Sequence, residues 1–112
     1  RELLPSLATV APRLAVLVDS VGAFVANHLD FGPEAWALQS EHLLSTLHQC
    51  PYKCVVVIEE TGWGVVPPTQ IGGLFRDRLG QLAQQLDQIA DVSWLVLQGR
   101  AVDLRAISHP VP

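Results

Sequence analysis

Three carboxylates in this chain stand directly behind short apolar runs. Asp19 follows LAVLV, residues 14 to 18, and Glu59 and Glu60 follow VVVI, residues 55 to 58. A strand that ends on an acid carries that acid to the carboxyl edge of a sheet. In parallel α/β sheets ligands collect beyond that edge, because loops and helix N-termini converge there. LAVLVD has the shape of a strand that delivers one carboxylate to a magnesium-nucleotide. An Asp behind a strand equally suits a turn or a helix N-cap, so both readings stand. Glu59 and Glu60 are neighbours, so on an extended backbone they point to opposite faces and do not form a carboxylate dyad. Gly62 and Gly64 permit the tight loop that a ligand needs beside it, and Pro67 and Pro68 stiffen its exit. The plainer reading of this stretch is an ordinary strand-to-helix connection.

Other reactive side chains point to less chemistry. Cys50 and Cys54 form C-P-Y-K-C, and a zinc site would need two further ligands at matched spacing, so they read as two reduced thiols. His42 and His48 fall on the exposed side of a helix, His28 follows Asn27 in a loop, and His109 is in the tail; none is expected to be catalytic. The sequence contains no G-x-x-x-x-G-K-[ST], the phosphate-cradling loop, and Gly72 and Gly73 do not replace it. That glycine pair reads as loosening the start of a helix.

The elements that must position these residues alternate. LAVLV, VVVI and SWLVLQG (93 to 99) read as strands, unbroken apolar runs of the kind buried on both faces of a parallel sheet. Between them Trp36, Ser40, Leu43, Leu44 and Leu47, and then Phe75, Leu79, Leu82, Leu86 and Ile89, follow helical periods. Strand, helix, strand, helix, strand predicts an α/β fold, a mostly parallel sheet with covering helices. ELLPSLATVAP is expected as a short helix limited by its prolines, and AISHPVP as a loose tail.

At 112 residues the chain holds at most one domain. Its net charge of −4 excludes a phosphate-neutralising stripe and with it a nucleic-acid partner. No apolar run is long enough to cross a bilayer and the N-terminus has no signal-peptide pattern, so a soluble, non-secreted, cytoplasmic protein is expected. Hydrophobic residues make up 49% of the chain against 16% charged, an excess that predicts apolar surface covered by further chain or a partner subunit. The chain opens on Arg1, and processing or a longer parent protein would each account for that.

The order of motifs is more specific than any one of them. LVDSVGAFVANHL, CPYKCVVVIEETGWGVVPP and LFRDRLGQLAQQLDQIADVSWLVLQGRAVDLR, in that order, resemble the C-terminal two-thirds of the bifunctional adenosylcobinamide kinase / adenosylcobinamide-phosphate guanylyltransferase family of cobalamin biosynthesis. The resemblance runs from Leu14 to Arg105 and rests on E-x-G-x-G-x-V-P followed by F-R-D-x-x-G. It implies a P-loop NTPase-like α/β fold, a homotrimer with active sites between subunits, and two reactions. A nucleoside triphosphate, ATP or GTP, phosphorylates adenosylcobinamide; GTP then donates GMP through a guanylyl-histidine. Such transfers need mainly positioning and charge neutralisation by a phosphate-binding loop, Mg and an acid.

Residue by residue, the resemblance implies that Asp19 contacts nucleotide or its Mg, and that Glu60, Gly62, Gly64 and Pro67 form a ligand loop. Asn27, Phe75, Arg76, Asp77, Gly80 and Gln84 match further family positions; for Arg76 and Asp77 the structural alternative is an ion pair at a helix start. Glu59 stands where the family has Asn, Thr61 where it has Val, Ala83 where it has Asn and Ser20 where it usually has Cys. A carboxylate at 59 beside a polyanion opposes its binding unless Mg or a base lies close. The family's phosphate-binding loop and guanylylated histidine match nothing from Arg1 onward, so the chain is expected to be an incomplete α/β domain over 1–112, inactive by itself. The alternative is a short non-enzymatic relative acting as an oligomerisation or regulatory module.

Overall fold

The computed structural model describes residues 15–60 and 67–112. The expected N-terminal helix, Leu14, Gly62 and Gly64 lie outside the described residues. The strands are β1 (Val16–Asp19), β2 (Cys54–Val57), β3 (Trp94–Leu97) and β4 (Arg100–Asp103). The helices are α1 (Val21–Ala26), α2 (Pro33–Gln49), α3 (Gln70–Ile89) and α4 (Leu104–Ile107).

β1 and β2 pair in parallel, with Val16 opposite Cys54 and Asp19 opposite Val57. Val16 and Val18 are buried, as are Val21, Phe24 and Val25 of α1, Trp36 and Leu43 of α2, and Leu79, Leu82 and Leu86 of α3. This is one core, built where three helical stripes meet one face of the parallel pair. Each fully buried leucine contributes about 1.5–3 kcal/mol over an exposed one. The other face of the pair is open: Leu17, Val55 and Val57 are exposed. The expectation of strands buried on both faces is therefore corrected. Unbroken apolar runs do form strands here, but only alternate residues reach the core.

Local chemistry sets the helix boundaries. α2 begins with Pro33 at its first position, where a missing N–H costs nothing and φ is already helical. α3 begins at Thr69, whose Oγ1 accepts the Gly72 N–H at 3.0 Å. Gly72 does more than loosen this start, since a Cβ there would lie 2.9 Å from Thr69 Oγ1 and 3.0 Å from Pro67 Cβ. The expected α3 stripe holds: Leu79, Leu82 and Leu86 are buried, and Phe75 and Ile89 pack half-buried beside them.

The third strand departs from expectation. β3 does not join the parallel pair; it runs antiparallel to β4, with Leu97 opposite Arg100 across a two-residue turn. Gln98 and Gly99 have φ of 54° and 70°, the left-handed pair that a tight hairpin with right-twisted strands demands. Gly99 thus reverses the chain rather than merely ending a strand. RAVD, half charged and four residues long, gives no strand signal by itself, yet a two-residue loop makes its pairing with β3 cheap in chain entropy. Among the described residues the fold is α/β with a two-stranded parallel sheet and a separate hairpin, in place of one mostly parallel sheet. The hairpin is tied to the end of α3 by Arg105, which pairs with Asp87 at 3.7 Å. Within the tail, Ala106 and Ile107 belong to α4, and only the residues beyond are irregular.

Candidate functional site

The parallel register brings the sequence-predicted acids to one edge. Asp19 is the last residue of β1 and faces Val57, the last of β2; Ile58, Glu59 and Glu60 continue from there. Ile58 is half-buried against the core, whereas Asp19, Glu59 and Glu60 are exposed. The peptide between Asp19 and Ser20 is cis, and α1 starts at once behind it. Where the chain enters α3, Pro67 lies against Gly72 in that helix's first turn. Two strand ends and the start of α1 therefore share this end of the molecule.

Glu59 has a definite direction. Its carboxylate occupies the space that a side chain at position 22 would need, so a Cβ on Gly22 would collide with it. Gly22 lies in the first turn of α1, where unpaired N–H groups favour a negative charge. The charge that distinguishes Glu59 from the family's Asn is thus turned toward a helix start. Strand alternation does not decide this, because β2 stops at Val57.

The other predicted residues lie on the helices. Asn27 caps the far end of α1, about 9 Å along the helix axis from its start. Arg76 and Asp77 pair with each other, Arg76 Nε and Nη2 donating to Asp77 Oδ1 at 3.0 and 2.9 Å, as the structural alternative anticipated. Exposed as they are, such a pair contributes little to stability. Asp77, Gly80 and Gln84 are exposed and fall at i, i+3 and i+7, one outward stripe of α3 opposite its leucines. A Cβ on Gly80 would meet nothing within 4 Å, so described packing does not require that glycine.

Two residues were missed. His28, expected in a loop, is 1% exposed. Its Nδ1 lies 2.7 Å from the Phe24 carbonyl, and its ring stacks at 4.4 Å on Phe24 and at 4.9 Å against Phe31. The spacing Phe24, His28, Phe31, at i, i+4 and i+7, was the available signal. Arg78, directly after the Arg76–Asp77 pair, is also buried. It donates to the His28 carbonyl at 3.1 Å and the Phe31 carbonyl at 2.7 Å, and its guanidinium sits 5.2 Å from the Trp36 ring. Its place on the α3 stripe, three residues after Phe75, was the clue.

Among the described residues no three His, Cys, Asp or Glu side chains converge to hold a metal ion. A single carboxylate such as Asp19 suits Mg that arrives with nucleotide phosphates, since Mg commonly takes one or two protein carboxylates beside phosphate oxygens. No described helix is long and apolar enough to cross a membrane.

A profile described as cobinamide kinase / cobinamide phosphate guanyltransferase matches residues 2–104. The bifunctional adenosylcobalamin biosynthesis protein CobU of Escherichia coli (strain K12) is 33% identical over 112 aligned residues, covering 88% of this chain and 62% of that protein. CobU of Salmonella typhimurium (strain LT2) shows the same identity and coverage, 33%, 88% and 62%. The chain spans less than two-thirds of the length of these relatives.

Proposed function

The chain belongs to the cobinamide kinase / cobinamide phosphate guanyltransferase family, and from that premise we propose that it forms part of an enzyme that phosphorylates adenosylcobinamide and transfers GMP from GTP to the product. One observation carries the reading: the parallel register sets Asp19 level with Val57, the end of β2, from which the chain runs on into Glu59 and Glu60. That is the edge at which α/β proteins bind nucleotides.

In this reading Asp19 faces the nucleotide or the Mg it carries, and Mg supplies neutralisation of phosphate charge. Glu60, Gly62, Gly64 and Pro67 border the ligand. Pro67 sets where that loop enters α3, because it rests on Gly72 beside the Thr69 cap. Glu59 turns its carboxylate toward the start of α1, against Gly22. The outward stripe of Asp77, Gly80 and Gln84, with Asn27, is exposed and meets another part of the substrate or a neighbouring subunit. The open apolar residues Leu17, Val55 and Val57, and Trp94, Val96 and Leu97 of the hairpin, are the surface a homotrimer would cover. A P-loop NTPase-like architecture is the expected frame, with ATP or GTP as phosphate donor.

No residue of the chain matches the family's guanylylated histidine. His28 is committed to the core, and His42 and His48 are exposed on α2. Alone with GTP, Mg and adenosylcobinamide, the chain is expected to form no product. The decisive experiment replaces the matching stretch of the Escherichia coli relative with residues 2–104 of this chain. The chimera should phosphorylate adenosylcobinamide and form a covalent GMP adduct, and Asp19→Asn should sharply depress the first reaction. A chimera that folds and assembles like the relative yet catalyses neither step would refute the proposal and favour a non-enzymatic module.

A further inference from the structure

The junction between α2 and β2 carries a second chemistry. Cys50 caps the C-terminus of α2, and Cys54 opens β2. Three residues, Pro51, Tyr52 and Lys53, turn the chain between them. The turn brings the two sulfurs to 3.2 Å, with the Cys54 thiol directed at Cys50 Sγ; a formed disulfide measures about 2.05 Å. Backbone bonds hold both ends of this contact. The Cys50 N–H donates to the Leu47 carbonyl at 3.2 Å, and the Lys53 carbonyl accepts from the Val16 N–H at 2.8 Å, fixing the residue before Cys54 to β1. Both cysteines are free and half-buried, packed but open to a small reagent.

We propose that Cys50 and Cys54 form a thiol–disulfide pair, a modification site that closes into an intramolecular bond when the chain meets a small disulfide oxidant such as glutathione disulfide. The two reduced thiols expected from the sequence are thus one reactive unit. Burial first, and then the Cys50 sulfur, push the Cys54 thiol up to about 11, so Cys54 keeps its proton and Cys50 makes the first attack. The Cys50 thiolate attacks one sulfur of glutathione disulfide, and a glutathione thiolate leaves. Cys54 then gives up its proton, and its sulfur displaces the second glutathione from Cys50. Two protein thiols and one glutathione disulfide become one protein disulfide and two glutathione thiols. The bond staples the end of α2 to the start of β2, about 16 Å along the strand direction from Glu59, so it is separate from the carboxyl edge.

Lys53 lies between the two cysteines and makes the test direct. The purified chain is treated with glutathione disulfide, alkylated and cut with trypsin. The peptide ending at Lys53 and the one beginning at Cys54 should stay joined until a reductant is added, and the intact chain should lose two hydrogens in mass. Cys54→Ser should instead accumulate a glutathione adduct on Cys50, because the resolving thiol is gone. Separate peptides with both cysteines alkylated, two stable glutathione adducts on the unaltered chain, or a disulfide between two chains would each overturn the proposal. The unaltered chain supplies these outcomes whether or not the variant folds.

Discussion

Replacing Arg78 with Ala tests whether the core is locked by a cation rather than by apolar packing alone. The guanidinium holds two carbonyls, those of His28 and Phe31, in the turn that joins α1 to α2, 50 and 47 residues away in sequence. A hydrogen bond from a charged donor contributes about 1.5–3 kcal/mol, and the contact with Trp36 about 0.5–2 kcal/mol more. Desolvating a guanidinium that leans on carbonyl dipoles offsets part of this, leaving an expected loss of roughly 3 kcal/mol. With about 2.1 cal/mol/K of unfolding entropy per residue over 112 residues, that loss lowers Tm by about 13 °C. Urea unfolding followed by far-ultraviolet circular dichroism reads the free energy directly. Arg78→Lys keeps the charge but not the planar fork, so it should recover only about half of the loss. Because the partners are buried carbonyls, the loss should persist at 1 M salt, where exposed ion pairs are screened. A loss under about 1 kcal/mol for Arg78→Ala, or full stability in Arg78→Lys, would refute the forked lock.

Other consequences follow from single contacts. Thr69→Ala removes the side chain that caps α3 and should cost about 1 kcal/mol by urea unfolding, with Thr69→Ser close to the parent chain. Cys54 gives stability a pH dependence whose sign is fixed. Its thiol ionises at 9.0 in an unperturbed setting but near 11 when folded, so above pH 9 the unfolded state releases its proton first. Stability in the presence of a reductant should therefore fall as pH rises from 9 to 11, with the full contribution present below 9; Cys54→Ser should flatten that decline. An equal decline in the variant would count against it.

Much of the carboxyl edge was legible in the residues themselves. A strand of alternating burial needs only a few apolar residues before its acid, and both LVD and VVVI-EE supplied them. The α3 stripe was legible for the same reason: a leucine every third or fourth place defines a face before anything packs on it. The order of E-x-G-x-G-x-V-P and F-R-D-x-x-G was likewise enough to assign the family, which the profile match over residues 2–104 established. The direction of Glu59 was not legible, because it depends on the absence of a side chain at Gly22, 37 positions away along the chain.

What the sequence by itself determined is β1, β2, β3, α2 and α3 and the types of residue at the strand ends, because periodicity records how one segment divides its own surface between core and water. Only the tertiary structure decided which elements share that core. It made His28 a core ring and Arg78 its clamp, brought Cys50 and Cys54 into contact, and paired β3 with β4 instead of with β1 or β2. The physical reason is common to all of these. Each contact joins groups whose separate patterns are unremarked, and its free energy exists only after packing has excluded water from both partners.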